Sequence, residues 1–342
     1  MLKGLALTPP VVGRISIGKV VEKNGKRLPE KDDEFTITSQ VQGRDGWIHH
    51  PFDEQLRKEK SAKLRIIPVR LLFDDPDLSL RASYTMFDRS TGRPLCVGNG
   101  ETCKRATLQG MQSFPCPAPP SCPLAEGGNC KPYGRLNVRI DVDSDGTPGD
   151  ELGSFVLRTT GFNTIRTIAA RLRYLHALSG GLLSTLPLEL RLRGKSTTLS
   201  HRTPIYYVDL TLRGDTTLAQ AVSAAKAAWE ARRAAGVDQG ALEEAAQRGF
   251  ALGEFEESDE DGVTVVEEFY PADEEIQDSG SYGRDAGGKP ELVERLRLKA
   301  RNLPPAAERQ FDRSGQRIVS PLGEQPDISL HPKEHWGCPS SA

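Results

Sequence analysis

The stretch from Cys103 to Pro132 constrains the fold more than any other part of the chain. It holds Cys103, Cys116, Cys122 and Cys130, with Pro115, Pro117, Pro119, Pro120, Pro123 and Pro132 and the pair Gly127 and Gly128 among them. Proline lacks the amide donor that helices and central strands need, so neither is expected to survive such a density. A segment of this kind needs a staple to be ordered, and thiolates can supply one. Zinc takes about four soft ligands in a tetrahedron. The gaps between the cysteines are twelve, five and seven residues, looser than the paired spacing of common zinc modules. Cys103, Cys116, Cys122 and Cys130 are therefore read as one structural zinc site. An iron–sulfur cluster would use the same ligands, and four unrelated reduced thiols is the plainer alternative. Cys96 can substitute for Cys103. Cys338, His331 and His335 form an accidental trio in the tail. Four protein ligands leave no open position for water or substrate, which argues for a fold element rather than metal catalysis.

A chain of 342 residues allows one large or two ordinary domains. The hydrophobic share is 37% and the aromatic share 6%, low enough to expect a folded part with a polar remainder that cannot offset its ordering entropy. No apolar run approaches the roughly 20 residues that span a bilayer. The first residues, MLKGLALTPPVVGR, are too short and Pro-interrupted for a secretory signal. A cytoplasmic location is expected, and in a reducing cytosol clustered cysteines point to metal or redox chemistry.

The formal net charge of -2 hides an asymmetry. Nine basic residues lie between Leu152 and Arg213, against only Glu189 and Asp209. Between Glu254 and Asp278 there are twelve acids and no Lys or Arg. Arg166, Arg173, Arg191, Arg193 and Lys195 are the candidate nucleic-acid contacts, because arginine on an ordered scaffold bonds phosphate in pairs. Tyr174, Tyr206 and Tyr207 are placed to stack bases. A solvated charged face is the competing reading. The acidic segment could cover the basic surface, recruit a basic partner or simply solvate the chain.

Short strands are expected at Gly13–Val20, Phe35–Ser39, Leu64–Phe73 and Ser83–Phe87, with a hairpin turning at Ser90 to Gly92. Leu136, Val138, Ile140 and Val142 alternate with polar residues at strand period. After SFVLRTT, Asn163 or Thr164 caps a helix to about Leu178, with Ile165, Ile168, Leu172 and Leu175 on one face, and Gly180 stops it. Strands follow at Leu186–Arg193 and Tyr206–Leu212. Helices follow from Asp215 or Thr216 to Ala235 and from Ala241 to Arg248. The expected fold is α+β. Residues 1–214 form the core with the zinc loop at 103–130, a β-rich part followed by β-helix-β-β-helix. Residues 215–249 form a helical extension. Residues 250–342 form a mostly disordered tail, acidic and then rich in Pro and charge, with one short helix at Pro290–Arg301.

Other chemistry is thin. Asp141, Asp143, Asp145 and Gly146 open like a calcium loop, but the twelfth position is Leu152, Glu151 is one residue early and Pro148 intervenes. The same carboxylates could serve a magnesium nuclease, although no supporting Lys is spaced for it. His49 and His50 have no nucleophile motif to work with. Phosphate-binding glycine motifs are absent.

GRISIG (13–18), KRLPEKDDEFTITS (26–39), the cysteine loop closing on CKPYGRLNVRI (130–140) and DELGSFVLRTTGFNTIRTIAARL (150–172) together resemble the recombination directionality factor-like family. Its members accompany phage serine integrases, and relatives on integrative elements carry the label "hydrolase or metal-binding protein". The resemblance spans residues 10 to 175. It implies a protein that binds integrase and DNA and steers recombination toward excision. The expected function is a non-enzymatic, zinc-stabilised nucleic-acid-binding accessory of mobile-element recombination, with DNA and a serine integrase or other recombination protein as partners and no membrane. The alternatives are a single-stranded DNA-binding or annealing protein and a metal-dependent nuclease or hydrolase.

Overall fold

The computed structural model describes residues 9–269, apart from 24–25, 44–45, 58, 60, 143–152, 197–203 and 252–258. All of them belong to one unit, residues 1–279. Alternation of apolar and polar residues builds one large sheet. Its strands are β1 (Val11–Lys23), β2 (Lys26–Gly43), β3 (Gly46–His49), β4 (Ile66–Leu71), β5 (Leu80–Phe87), β6 (Pro94–Gly98), β7 (Thr102–Thr107), β8 (Gly110–Pro115), β9 (Cys130–Ile140), β10 (Ser154–Thr159), β11 (Leu188–Lys195) and β12 (Ile205–Leu212). The order is β3-β2-β1-β10-β9-β5-β6-β7-β8, and β4, β11 and β12 branch from β9. The β1–β10 pair is parallel; β9 runs antiparallel to β10, β5 and β4.

Residues opposite one another in antiparallel strands share a face, and that face alternates along each strand. One face carries Ile15, Ile37, Leu157, Leu136, Val138, Leu80, Val69, Leu188, Leu190 and Leu210, all buried in one core cluster. Helix α3 (Phe162–Ser179) lays Ile168 and Leu172, both 0% exposed, onto it. Gly134 lets α3 come close: a Cβ there would stand 2.8 Å from Ile165 Cγ1. The helix ends at Gly180 with φ 69°, the left-handed conformation that glycine tolerates best. Two short helices, α1 (Pro51–Leu56) and α2 (Pro76–Ser79), and then α4 (Leu218–Ala234) and α5 (Gln239–Ala251) complete this side. Ala221 and Ala225 of α4 join the main core, and Ala246 of α5 packs with Phe73 and Leu78.

The opposite face is polar yet largely covered. It buries Arg135, Asn137, Arg158, Thr36 and Thr38. Helix α6 (Asp259–Phe269) packs on part of it, with Val265 and Val266 buried against Phe87 and Tyr133. Gly92 and Gly262 meet backbone to backbone there, since a Cβ on either would fall 2.3 Å from the other segment.

The α+β class and the expected core strands stand, with three differences. The proline-rich segment is not a loop throughout. β7 and β8 form a hairpin inside it, and β9 starts at Cys130 rather than Leu136. Pro132 fits because it lies beyond the end of β10, where β9 has a partner on one side only. The N-cap of α3 is Gly161, ahead of the expected Asn163 or Thr164. Within 250–342, read as mostly disordered, residues 259–269 are a docked helix. The rest of that tail from residue 270 onward, with the helix at Pro290–Arg301, lies outside the described residues.

Candidate metal centre and cationic surfaces

Strand register collects the cysteines. Met86 of β5 stands opposite Cys130 on one side and Cys96 on the other. Cys96 faces Arg105 of β7, and Gly98 faces Cys103. Side chains at these paired positions point to one face, the face that carries α3 farther along the sheet. The chain leaving β8 folds back over it: Cys116 N donates to Glu101 O at 2.8 Å. Its Sγ lies directly over Gly98, where a Cβ would be 2.7 Å from the sulfur and 2.8 Å from Cys103 Cβ. Cys122 sits between a single 3₁₀ turn, Pro119–Ser121, and a kinked 3₁₀ segment, Pro123–Gly128. Ala118, between Cys116 and Cys122, has φ 61°. With ψ 161° it is the single non-glycine residue at positive φ among those described, in a region that is nearly glycine-only and costs on the order of 1–3 kcal/mol.

The thiols feel one another. Burial pushes the Cys130 thiol up to about 11, and Cys96, Cys116, Cys122 and Cys103 add to it in that order. Cys103 is pushed up by burial, then by Cys96 and Cys116, against the pull of Arg105. The Arg105 guanidinium is held above its usual range chiefly by Cys96. Its Nε is buried without a hydrogen-bond partner among the described residues. Cys103 Sγ donates to Pro115 O at 3.8 Å. The four expected thiols thus converge with a fifth, Cys96. They do not close: among the described residues no three His, Cys, Asp or Glu side chains gather tightly enough to hold a metal ion. The donor set suits a soft metal such as zinc, which would tie the proline-rich crossing to the sheet. Cys338, His331 and His335 lie outside the described residues.

The expected phosphate contacts are scattered. Arg166 and Arg173 are exposed on α3, and Arg173 reaches Asp77 at 3.6 Å. Arg191 and Arg193 share a strand face. Arg191 Nε donates to Glu189 at 2.9 Å and Arg193 Nε to Asp209 at 3.1 Å. Lys195 donates to Asn163 Oδ1 at 2.7 Å and lies over the Tyr207 ring. It also lines a pocket of about 350 Å³ with Asp33, Arg65 and Tyr206. Sequence reasoning missed a second set. Arg158, Arg135 and Arg81 stand opposite one another across β10, β9 and β5. Each occupies an ordinary alternating position, so only the register brings them into a row. Glu268 of α6 lies within reach of Arg158 and Arg14.

The remaining candidates have structural work. His50 caps α1, its Nδ1 accepting from Phe52 N at 3.2 Å, and burial pushes its pKa down. His49 stands 3.5 Å from Asp53. Asp141 accepts from Arg70 Nε at 2.7 Å and from Arg213. Asp143, Asp145 and Gly146 lie outside the described residues.

Among the described residues no helix is long and apolar enough to cross a membrane. Comparison with curated proteins and with solved structures gives no match. The model of the Gp3-like, recombination directionality factor-like family matches residues 12–213, from the start of β1 to just past β12 and so including the cysteine centre. That span is more than half of the 342 residues, and the chain belongs to this family of recombination accessory factors.

Proposed function

We propose that the protein is a non-enzymatic accessory of phage or mobile-element DNA recombination, that it binds DNA and a recombination protein such as a serine integrase, and that a zinc ion on its cysteines stabilises the fold. The family match carries this reading, because it covers the sheet, α3 and the cysteine segment together. The convergence of five thiols supports the zinc. Arginines on the polar face of the sheet and on α3 support contact with phosphates. The nuclease reading is weakened by Asp141, whose carboxylate is engaged by Arg70 and Arg213.

The test is a recombination assay with the serine integrase of the same element, on paired integration and excision substrates, with and without the full-length protein. Excision should rise and integration fall when the protein is added. No change in either direction, with no retention of integrase or DNA by the protein, would overturn the reading. Metal analysis of the same preparation should give about one zinc per chain.

A further inference from the structure

The polar face of the sheet groups cations with aromatic rings, and helix α6 sits on it. We infer that this face, from β1 to β5, takes a nucleic-acid strand, and that α6 is a tethered competitor that must leave for the strand to enter. The inference rests on the DNA-binding reading above and names a surface and a control for it.

Register assembles the face. Arg158, Arg135 and Arg81 stand side by side on β10, β9 and β5, at strand spacings of about 4.8 Å. Arg14 of β1 lies opposite Val156, two residues from Arg158 on the same face, and its Cζ is 3.9 Å from the centroid of the Trp47 ring. Tyr133 precedes Arg135 by two residues on β9 and meets Phe87 edge-on, with ring centroids 5.4 Å apart. Cations that hold phosphates, set beside rings that can stack bases, are what a nucleic-acid strand needs from a folded surface.

Helix α6 occupies the aromatic end of that face. Its sequence holds five acids and no Lys or Arg, so while docked it repels a phosphate backbone. Val265 and Val266 cover Phe87 and Tyr133 in a cluster separate from the main core. The Phe269 ring lies 6.4 Å from that of Tyr133. Lys131 Nζ donates to Phe269 O at 3.0 Å, at the negative end of the helix dipole. Glu268 is within electrostatic reach of Arg158 and Arg14, so helix and strand cannot hold these arginines together. So small an apolar cluster marks an element that opens locally while the core stays folded. The arginines, Phe87 and Tyr133 also lie inside residues 12–213, the span matched by the family model, and α6 lies beyond it. The shared fold supplies the face, and the extension supplies its cover.

The experiment measures the affinity of the full-length protein for a labelled oligonucleotide, single-stranded and as duplex, over a salt series at one pH. Gly262→Ala is the release variant: alanine is the better helix former, but its Cβ would fall 2.3 Å from Gly92 O. Val265→Asp, which sets a charge against Phe87 and Tyr133, is the second. Hydrogen exchange of the α6 amides reports release, and that of the α3 amides reports an intact core. A released variant should bind at least one probe about tenfold tighter, with a salt slope steeper by roughly two contacts' worth. A gain confined to the single strand supports stacking on the rings as well, and an equal gain on duplex supports the arginines alone. Adding Arg81→Gln or Arg14→Gln to the released variant should take back about half of the steepening. Release without a gain, or a gain kept in full by both double variants, would overturn the inference. So would α6 amides that stay protected, or open only together with α3, in both release variants. A wild type that still binds DNA in those cases leaves the DNA-binding reading standing, whereas binding of neither probe by any variant at low salt overturns both.

Discussion

At Gly98 a hydrogen atom is all that fits. A methyl there would meet Cys116 Sγ at 2.7 Å, Cys103 Cβ at 2.8 Å and the Thr102 carbonyl at 3.0 Å. Two of these belong to the framework of the hairpin, so the clash cannot be relieved by one side-chain rotation. Gly98→Ala should lower stability by about 1–3 kcal/mol, as overpacking does, and on the proposed zinc reading should reduce zinc retention with it. Denaturant titration beside metal analysis checks this. Gly100, with only Tyr84 Cε2 at 3.6 Å but φ 98°, offers a contrast: Gly100→Ala should cost stability through backbone strain and, on the same zinc reading, leave zinc content unchanged. Residue identity alone announced the cysteines as a group, because proline density leaves few other ways to order the segment. Cys96 entered only as a substitute for Cys103, and its place across Met86 from Cys130 was not announced. That depends on which residues of β5, β6 and β7 stand opposite one another, and a shift of one position would turn every side chain to the other face.

Element boundaries follow the same logic. Helix α3 was legible because Ile165, Ile168, Leu172 and Leu175 recur at helical spacing, and all four are buried. Leu172→Ala should cost about 2–5 kcal/mol, since Leu172 is 0% exposed in the main core. Tyr174→Ala, two residues on and 60% exposed, should stay within about 0.5 kcal/mol; paired thermal melts would show it. Equal losses would mean that the helix does not pack by this face. The hairpin β7–β8 was not legible. Thr102–Thr107 and Gly110–Pro115 carry few large apolar residues, and such strands are held by ladder bonds rather than by an alternating core pattern. The length of β2 was hidden likewise, because Lys26–Asp33 is charged and reads as a loop. Helix α6 was obscured by its acidic context, although Val265 and Val266 are its anchors on Phe87 and Tyr133.

Across the whole molecule the charge asymmetry becomes a contact. The acidic stretch places Glu268 of α6 near Arg158 and Arg14 on the polar face of the sheet. By area Glu268 is only part-buried, yet it is seated deep enough that burial outweighs both arginines and pushes its pKa up to about 7 from 4.5. A carboxyl whose pKa is higher in the docked state holds its proton better there than in the undocked helix. Docking is therefore strongest below about 4.5, weakens as pH rises toward 7 and is constant above it. The full swing is at most about 3–4 kcal/mol, from roughly 1.4 kcal/mol per pKa unit. Hydrogen exchange of the α6 amides should show more protection at pH 5.5 than at pH 8, after correction for the intrinsic rate. Glu268→Gln should be protected at both pH values, because the amide cannot ionise. Should protection in the wild type rise with pH, the arginines would be dominating over burial and α6 would be held as an ion pair. The direction also bears on DNA binding. At pH 8 a loosened α6 exposes more of the row Arg158, Arg135 and Arg81, so duplex affinity at fixed salt should rise from pH 5.5 to pH 8 in the wild type and stay level in Glu268→Gln. Histidines that discharge as pH rises can only weaken phosphate binding, so a gain that depends on Glu268 would separate this helix from a simple solvated tail.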